Sequence, residues 1–204
     1  MSQEHDSVEL VGDETVRHIS LAAVLAALTA AFAYVSIPIP GLPAPVSFQV
    51  FGVYFAGLLL GPRWGGFSIA LYLLVGIAGA PVFSNGGAGL GYVLGPTGGY
   101  LIGFLVAAVL IGAIVHRTLG GIADRGSGLR PLSEVSVAVQ AGALVAGLVV
   151  IYAVGVPWLA TMAGLPLVEA ATVGAAVFLP GDAIKIAATL ALVRAGALAR
   201  QQAV

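Results

Sequence analysis

Six apolar stretches, at about 18–37, 47–60, 64–80, 97–116, 134–155 and 167–196, take up most of this 204-residue chain, and Pro, Gly and Arg punctuate the gaps between them. A helix needs about 20 predominantly apolar residues to cross roughly 30 Å of hydrocarbon, so six crossings joined by short connections use nearly the whole length. Only 8% of the residues are charged and 59% are hydrophobic, whereas a soluble domain carries about 25% charged residues. The expected fold is therefore an all-α integral membrane protein, a bundle of six transmembrane helices in contact with the lipid bilayer. Residues 17–200 form its membrane domain. Residues 1–16 read as a disordered acidic tail, because Glu4, Asp6, Glu9, Asp13 and Glu14 crowd a stretch that would be basic in a cleavable signal peptide. Residues 201–204 are a short C-terminal tail.

The arginines orient the bundle. Arg17 precedes the first stretch, Arg63 falls between the second and third, and Arg117, Arg125 and Arg130 lie between the fourth and fifth. Arg194 and Arg200 end the sixth. The connections at 38–46, 81–96 and 156–166 hold no charged residue. All the arginines therefore fall on one side of a six-span arrangement, which the positive-inside rule makes cytoplasmic, with both termini on that side. An odd number of spans would scatter them.

Composition also excludes functions. The chain has no cysteine, which removes disulfides, zinc knuckles and thiol catalysis. No basic stripe suits a nucleic acid. His5 and His18 have no partner spacing that suggests a metal site, His116 beside Arg117 reads as lying at the inner interface, and no nucleophile–base pair stands out, so an enzyme is disfavoured. No phosphate-loop motif is present, so any ATP use must belong to other chains.

Three features carry chemistry. The first is the sole lysine, Lys185, in the sixth stretch with Asp182. An ionisable residue in a membrane costs at least about 2.5–3.5 kcal/mol on insertion scales and is kept where it faces a cavity, a partner or a functional path. At i and i+3 the two share a helix face and can pair. A buried pair gives little net stability over apolar residues, which favours a functional role over a structural link between helices. Pro180-Gly181 just before them predicts a helix break at 178–181, placing Asp182 at the N-cap or in the first turn of the second piece. Broken helices recur at transporter binding sites. The second feature is the glycine-rich connection from Pro81 to Tyr100, which lacks the preceding strand of a nucleotide fingerprint. Its glycines let backbone approach a ligand, and Asn85 offers amide donors and a carbonyl acceptor to an uncharged polar head group. The third is Ala22, Ala23, Ala26, Ala27, Ala30 and Ala31, two adjacent stripes of small residues at i, i+4 spacing. Such stripes mark close helix contacts, within the bundle or with another membrane protein.

Several blocks of the chain resemble the BioY family. They are Gly61-Pro62-Arg63-Trp64-Gly65, Phe83-Ser84-Asn85-Gly86-Gly87-Ala88-Gly89-Leu90, Leu94-Gly95-Pro96-Thr97-Gly98-Gly99-Tyr100, and Phe178-Leu179-Pro180-Gly181-Asp182-Ala183-Ile184-Lys185. The resemblance runs from about residue 17 to 196. It implies the fold of an S component of an energy-coupling factor (ECF) transporter, the substrate-binding subunit, with biotin as the captured vitamin, no cofactor and no catalysis by this chain. Import would need an EcfT-like transmembrane coupling protein and two ABC-type ATPases. Asn85, Asp182 and Lys185 would line the biotin pocket, with Gln49, Gly87, Tyr100 and Tyr152 as further contacts. The alanine stripes would meet the coupling protein. Two alternatives remain on the sequence: an S component for another small vitamin, and a self-sufficient ion-coupled permease using Asp182 and Lys185 as a proton relay.

Overall fold

The computed structural model describes residues 12–40, 45–117 and 129–202. Helix α1 spans Asp13–Tyr34, α2 Gln49–Ile77, α3 Leu90–Val93, α4 Gly98–Val115, α5 Val137–Ala163, α6 Leu167–Ala171 and α7 Leu179–Gln202. Two-residue strands β1 (Ser36–Ile37) and β2 (Val46–Ser47) pair antiparallel, Ser36 opposite Ser47, between α1 and α2. Among the described residues, five helical stretches are long and apolar enough to cross a membrane, α6 and α7 counting as one stretch from Leu167 to Gly196.

The expected second and third spans fall in one element, α2, which folds back on itself. Gly61 takes φ 69° and ψ −173°, and Pro62 follows it. In an unbroken helix residues 56 and 65 would stand about 13 Å apart. Here a β-carbon on Gly65 would come within 2.5 Å of Ala56 O, and the Gln49 side chain at one end of the element bonds the Tyr72 hydroxyl near the other. Two arms, 49–60 and 62–77, therefore lie side by side around the turn. Glycine is needed at 61 because its φ is positive. Pro62 brings no N–H to the carbonyl of Leu58, four residues earlier; Nε2 of His116, just past α4, stands 3.0 Å from that oxygen and donates to it.

Helix α4 lies at the centre, with 61% of its residues buried. Its glycines allow backbone contact on both sides: a β-carbon on Gly103 would meet Ile151 Cα of α5 at 2.9 Å, and one on Gly112 would meet the Gly61–Pro62 peptide at 2.4 Å. The turn at Gly61 also packs near Leu129, and His18 of α1 stacks on Trp64 at 5.4 Å, beneath the Arg63 guanidinium. These contacts gather Arg17, Arg63, Arg117 and Arg130 at one end of the bundle. Arg125 lies outside the described residues. The β1–β2 ladder and the connection 81–96 occupy the other end, where Tyr34 donates to Pro81 O (2.5 Å) and Trp158 Nε1 to Gly95 O (2.9 Å).

The expected boundaries move in physically legible ways. Residues 13–16, expected in the tail, form the first turn of α1, with Asp13 and Glu14 at the positive end of its dipole; residues 1–11 lie outside the described residues. At the other terminus α7 continues through Gln202, where a tail from 201 is expected. Helix α5 starts at Val137, capped by Ser136 Oγ accepting from Val139 N, runs past Pro157 and ends at Ala163, eight residues beyond 155, with Gly164 following in the left-handed conformation.

Candidate ligand-binding site

The sixth stretch supplies the charged centre. Helix α7 begins at Leu179 with Pro180 in its first turn, where a missing N–H costs nothing, and Asp182 sits in that same turn. The expected break at 178–181 is thus a helix start, preceded not by a gap but by a wide π-helical turn, Thr172–Ala176. That turn presents the Gly174 carbonyl sideways, and Tyr100 of α4 donates to it at 2.8 Å. Lys185 Nζ lies 3.0 Å from Asp182 Oδ1, and the Tyr152 hydroxyl of α5 donates to Asp182 Oδ2. Both charged residues are buried, with 4% and 8% of their surface exposed. Each carboxylate oxygen has one partner and a lone pair to spare, and Lys185 keeps two N–H groups free of Asp182. The pair is neutral overall yet able to give and accept further hydrogen bonds.

These residues open onto a cavity of about 90 Å³. Leu101, Phe104, Leu148, Ile151 and Phe178 supply apolar wall, and Tyr100 and Tyr152 meet edge to face at 6.3 Å. A second polar group lines the same cavity. Gln49 Oε1 accepts from Ser47 Oγ (2.9 Å) and Ser84 Oγ (2.7 Å), its Nε2 donates to Tyr72, and Tyr72 donates to Val82 O at 3.1 Å. This network joins the start of α2 to strand β2 and to the glycine-rich connection. Hydrogen-bonding groups and apolar wall around one cavity suit a small molecule with a polar head and an apolar body.

Of the expected ligand residues, Gln49, Tyr100, Tyr152, Asp182 and Lys185 share this cavity. Asn85 and Gly87 do not. They line an adjoining vestibule with Ser84, Tyr92 and Thr97, which border both spaces. Asn85 is exposed at φ 58°, a left-handed conformation that asparagine tolerates better than most residues, and Gly87 packs on the Tyr92 ring, where a β-carbon would sit at 2.1 Å. Ser47 and Ser84 were not singled out from the sequence. Ser84 adjoins Asn85 in the same block, and only the fold shows which of the two turns inward.

The alanine stripes separate cleanly. Ala22 and Ala26 are buried within the bundle, where Ser68 Oγ of α2 donates to the Ala22 carbonyl at 2.8 Å, and Ala30 is half-buried. Ala23, Ala27 and Ala31 are exposed. Ala22 and Ala26 therefore pack intramolecularly and are not free to meet a partner. Their small size lets the second arm of α2 approach α1.

Apolar helices around a cavity lined by both polar and apolar side chains define a multi-pass membrane protein with a site for a small molecule. Among the described residues no group of three or more His, Asp or Glu is placed to hold a metal. The chain belongs to the BioY family, whose model matches residues 2–202. It is 36% identical over 182 residues to the biotin transporter BioY of Rhizobium etli, covering 89% of this chain and 93% of that protein. It is 37% identical over 171 residues to the probable biotin transporter BioY of Pyrococcus horikoshii, covering 84% and 90%. Among solved structures it resembles the S-component for biotin from an ECF-type ABC transporter, with TM-score 0.75, 28% identity and coverage of 91% of this chain and 93% of that one. The family is one of transporter components rather than enzymes, in keeping with the sequence reading.

Proposed function

We propose that this chain captures biotin and delivers it for import across the cell membrane, as the S component of an ECF-type ABC transporter. The observation that carries the reading is the buried Asp182–Lys185 pair on the wall of an otherwise largely apolar cavity. Biotin has a neutral ureido ring with two N–H donors and a carbonyl, an apolar thioether ring and a carboxylate tail. Asp182 accepts N–H donors, Lys185 donates to a carbonyl or carboxylate, and Tyr100, Tyr152 and Gln49 complete the polar contacts. Leu101, Phe104, Ile151 and Phe178 cover the apolar body. Asn85 and Gly87 line the approach through the vestibule. Membership of a family whose relatives are named biotin transporters supports biotin over another vitamin and over an ion-coupled permease.

With each arm of α2 counted as a crossing, the bundle has six, and both termini face the cytoplasm with the arginines. Residues 17–200 act as one membrane unit. It uses no cofactor of its own; ATP is hydrolysed by two ABC-type subunits that reach it through an EcfT-like coupling protein. Ala23, Ala27 and Ala31 form the docking stripe. Purified chain is therefore expected to bind biotin by itself. Ala27→Leu is expected to keep that affinity within about twofold, a surface change worth under about 0.5 kcal/mol, while cells carrying it lose biotin uptake. Unchanged uptake would remove Ala27 from the docking surface, and absence of biotin binding by the wild-type chain would overturn the function.

A further inference from the structure

Gln49, the first residue of α2, is 4% exposed and lines the cavity together with Asp182 and Lys185. An amide side chain can point either its carbonyl or its NH2 at a given neighbour. Here the neighbours decide. The Val82 carbonyl can only accept, so Tyr72, 3.1 Å away, donates its one O–H to it. Toward Gln49 the Tyr72 oxygen can then only accept, and the atom that meets it must be Nε2. That orientation turns Oε1 to Ser47 Oγ and Ser84 Oγ, at 2.9 and 2.7 Å, and the two hydroxyls fill both lone pairs of the carbonyl. The second N–H on Nε2 meets no acceptor among the described residues. Gln49 therefore has a donor left for a ligand and no acceptor. Tyr72 stands behind the wall. It is buried and outside the lining of the cavity, and its ring lies edge to face with Phe83 at 5.5 Å.

We propose that Tyr72 is a positioning residue for the ligand site: its hydroxyl, held by the Val82 carbonyl, sets the Gln49 amide so that an N–H meets an acceptor oxygen of the ligand, a carbonyl or a carboxylate. The inference rests on the reading that the cavity binds biotin, which carries both. Without the Tyr72 hydroxyl, Nε2 would keep a buried N–H with no partner, a costly arrangement. Reversing the amide removes that cost, because each serine oxygen can accept from Nε2 as well as donate to Oε1. The reversed amide sets Oε1 against the acceptor of the ligand.

The test measures biotin affinity by equilibrium titration of purified wild type, Tyr72→Phe, Gln49→Met and the double variant. Phenylalanine keeps the ring and its contact with Phe83, and methionine keeps the length of Gln49 without its amide. Each single change is expected to weaken biotin binding about three- to tenfold, the usual scale of one hydrogen bond. In the double variant Tyr72→Phe is expected to add less than about twofold to the loss from Gln49→Met, since it acts through that amide. Wild-type affinity in Tyr72→Phe overturns the positioning role. So does a full-sized further loss in the double variant, because a packing defect would not depend on the amide at 49. Gln49→Glu reads the donor without touching Tyr72: ionised or protonated, it has no N–H for the ligand, and it is expected to lose at least as much affinity as Gln49→Met. Wild-type affinity in Gln49→Glu overturns the donor assignment while leaving biotin as the ligand. Absence of biotin binding by the wild type is a different failure, which removes the biotin reading and this inference with it. Iminobiotin, with an N–H in place of the ureido oxygen, tells the two acceptors apart. Unchanged affinity for it in Tyr72→Phe puts the donor at the ureido carbonyl, and the same loss as for biotin puts it at the carboxylate.

Discussion

Asp182→Asn is expected to lower biotin affinity roughly tenfold to a hundredfold while leaving the helix bundle intact. The substitution keeps the shape of the side chain but turns a charged acceptor into a neutral one. Hydrogen bonds to charged groups contribute about 1.5–3 kcal/mol, which converts to that range of affinity. It also leaves Lys185 as a buried cation without its counter-charge, since Asp182 is its ion-pair partner at 3.0 Å. Part of the loss therefore comes from a repositioned ammonium. Asp182→Ala is expected to cost at least as much, and Lys185→Ala to weaken binding as well. Equilibrium titration of detergent-purified variants, each first checked for monodispersity, measures this directly. Affinities within twofold of wild type across the three would show that the pair only joins helices.

The second large effect concerns the fold. Gly112→Val is expected to abolish recovery of folded protein or to destabilise it by about 3 kcal/mol or more, the upper range for overpacked cores. A β-carbon at 112 would stand 2.4 Å from the carbon of Gly61 and the nitrogen of Pro62, both backbone atoms with no side-chain freedom to move aside. The same contact seats the turn of α2 against α4 beside the His116–Leu58 bond, so the clash separates the two arms from the central helix. Gly142→Val is the control, because a β-carbon there meets nothing within 4 Å. Thermal melts and the yield of monodisperse protein should separate the two variants. Equal behaviour would mean that the close approach of α4 to the turn does not support the bundle.

Hydropathy made the helical stretches legible, because lipid demands long apolar runs whatever the packing inside. The turn at Gly61-Pro62 was legible too, from a glycine and a proline beside an arginine between two apolar runs. What periodicity could not settle was direction. Adjacent stripes such as Ala22/Ala26/Ala30 and Ala23/Ala27/Ala31 differ by one residue, about 100° around the helix, and nothing in their composition says which one faces Ser68 and which faces outward. Proline at 180 pointed to the right place, since α7 starts at Leu179 and Asp182 lies in its first turn. It tolerates a first turn as well as it breaks an interior, and the actual irregularity, the π-helical turn at Thr172–Ala176, is made of ordinary residues whose widened geometry meets Tyr100 only in the folded bundle. Amide chemistry singles out Asn85 in the sequence; the fold places it exposed at positive φ, while Ser84 beside it bonds Gln49. Asp182 and Lys185 stand out because lipid makes charge expensive, and the fold places both, buried and paired, on the wall of the cavity.

The most direct measurement of the central claim is biotin binding by the double variant Asp182→Leu with Lys185→Leu. Removing both charges leaves no uncompensated ion, and well-packed apolar replacements of buried pairs are often neutral or stabilising, so the variant is expected to fold at least as well as wild type. A ligand site built on the pair predicts affinity at least about a hundredfold weaker, from the loss of the charged hydrogen bonds that both residues give the ligand. A stable double variant that binds biotin with wild-type affinity would contradict the account.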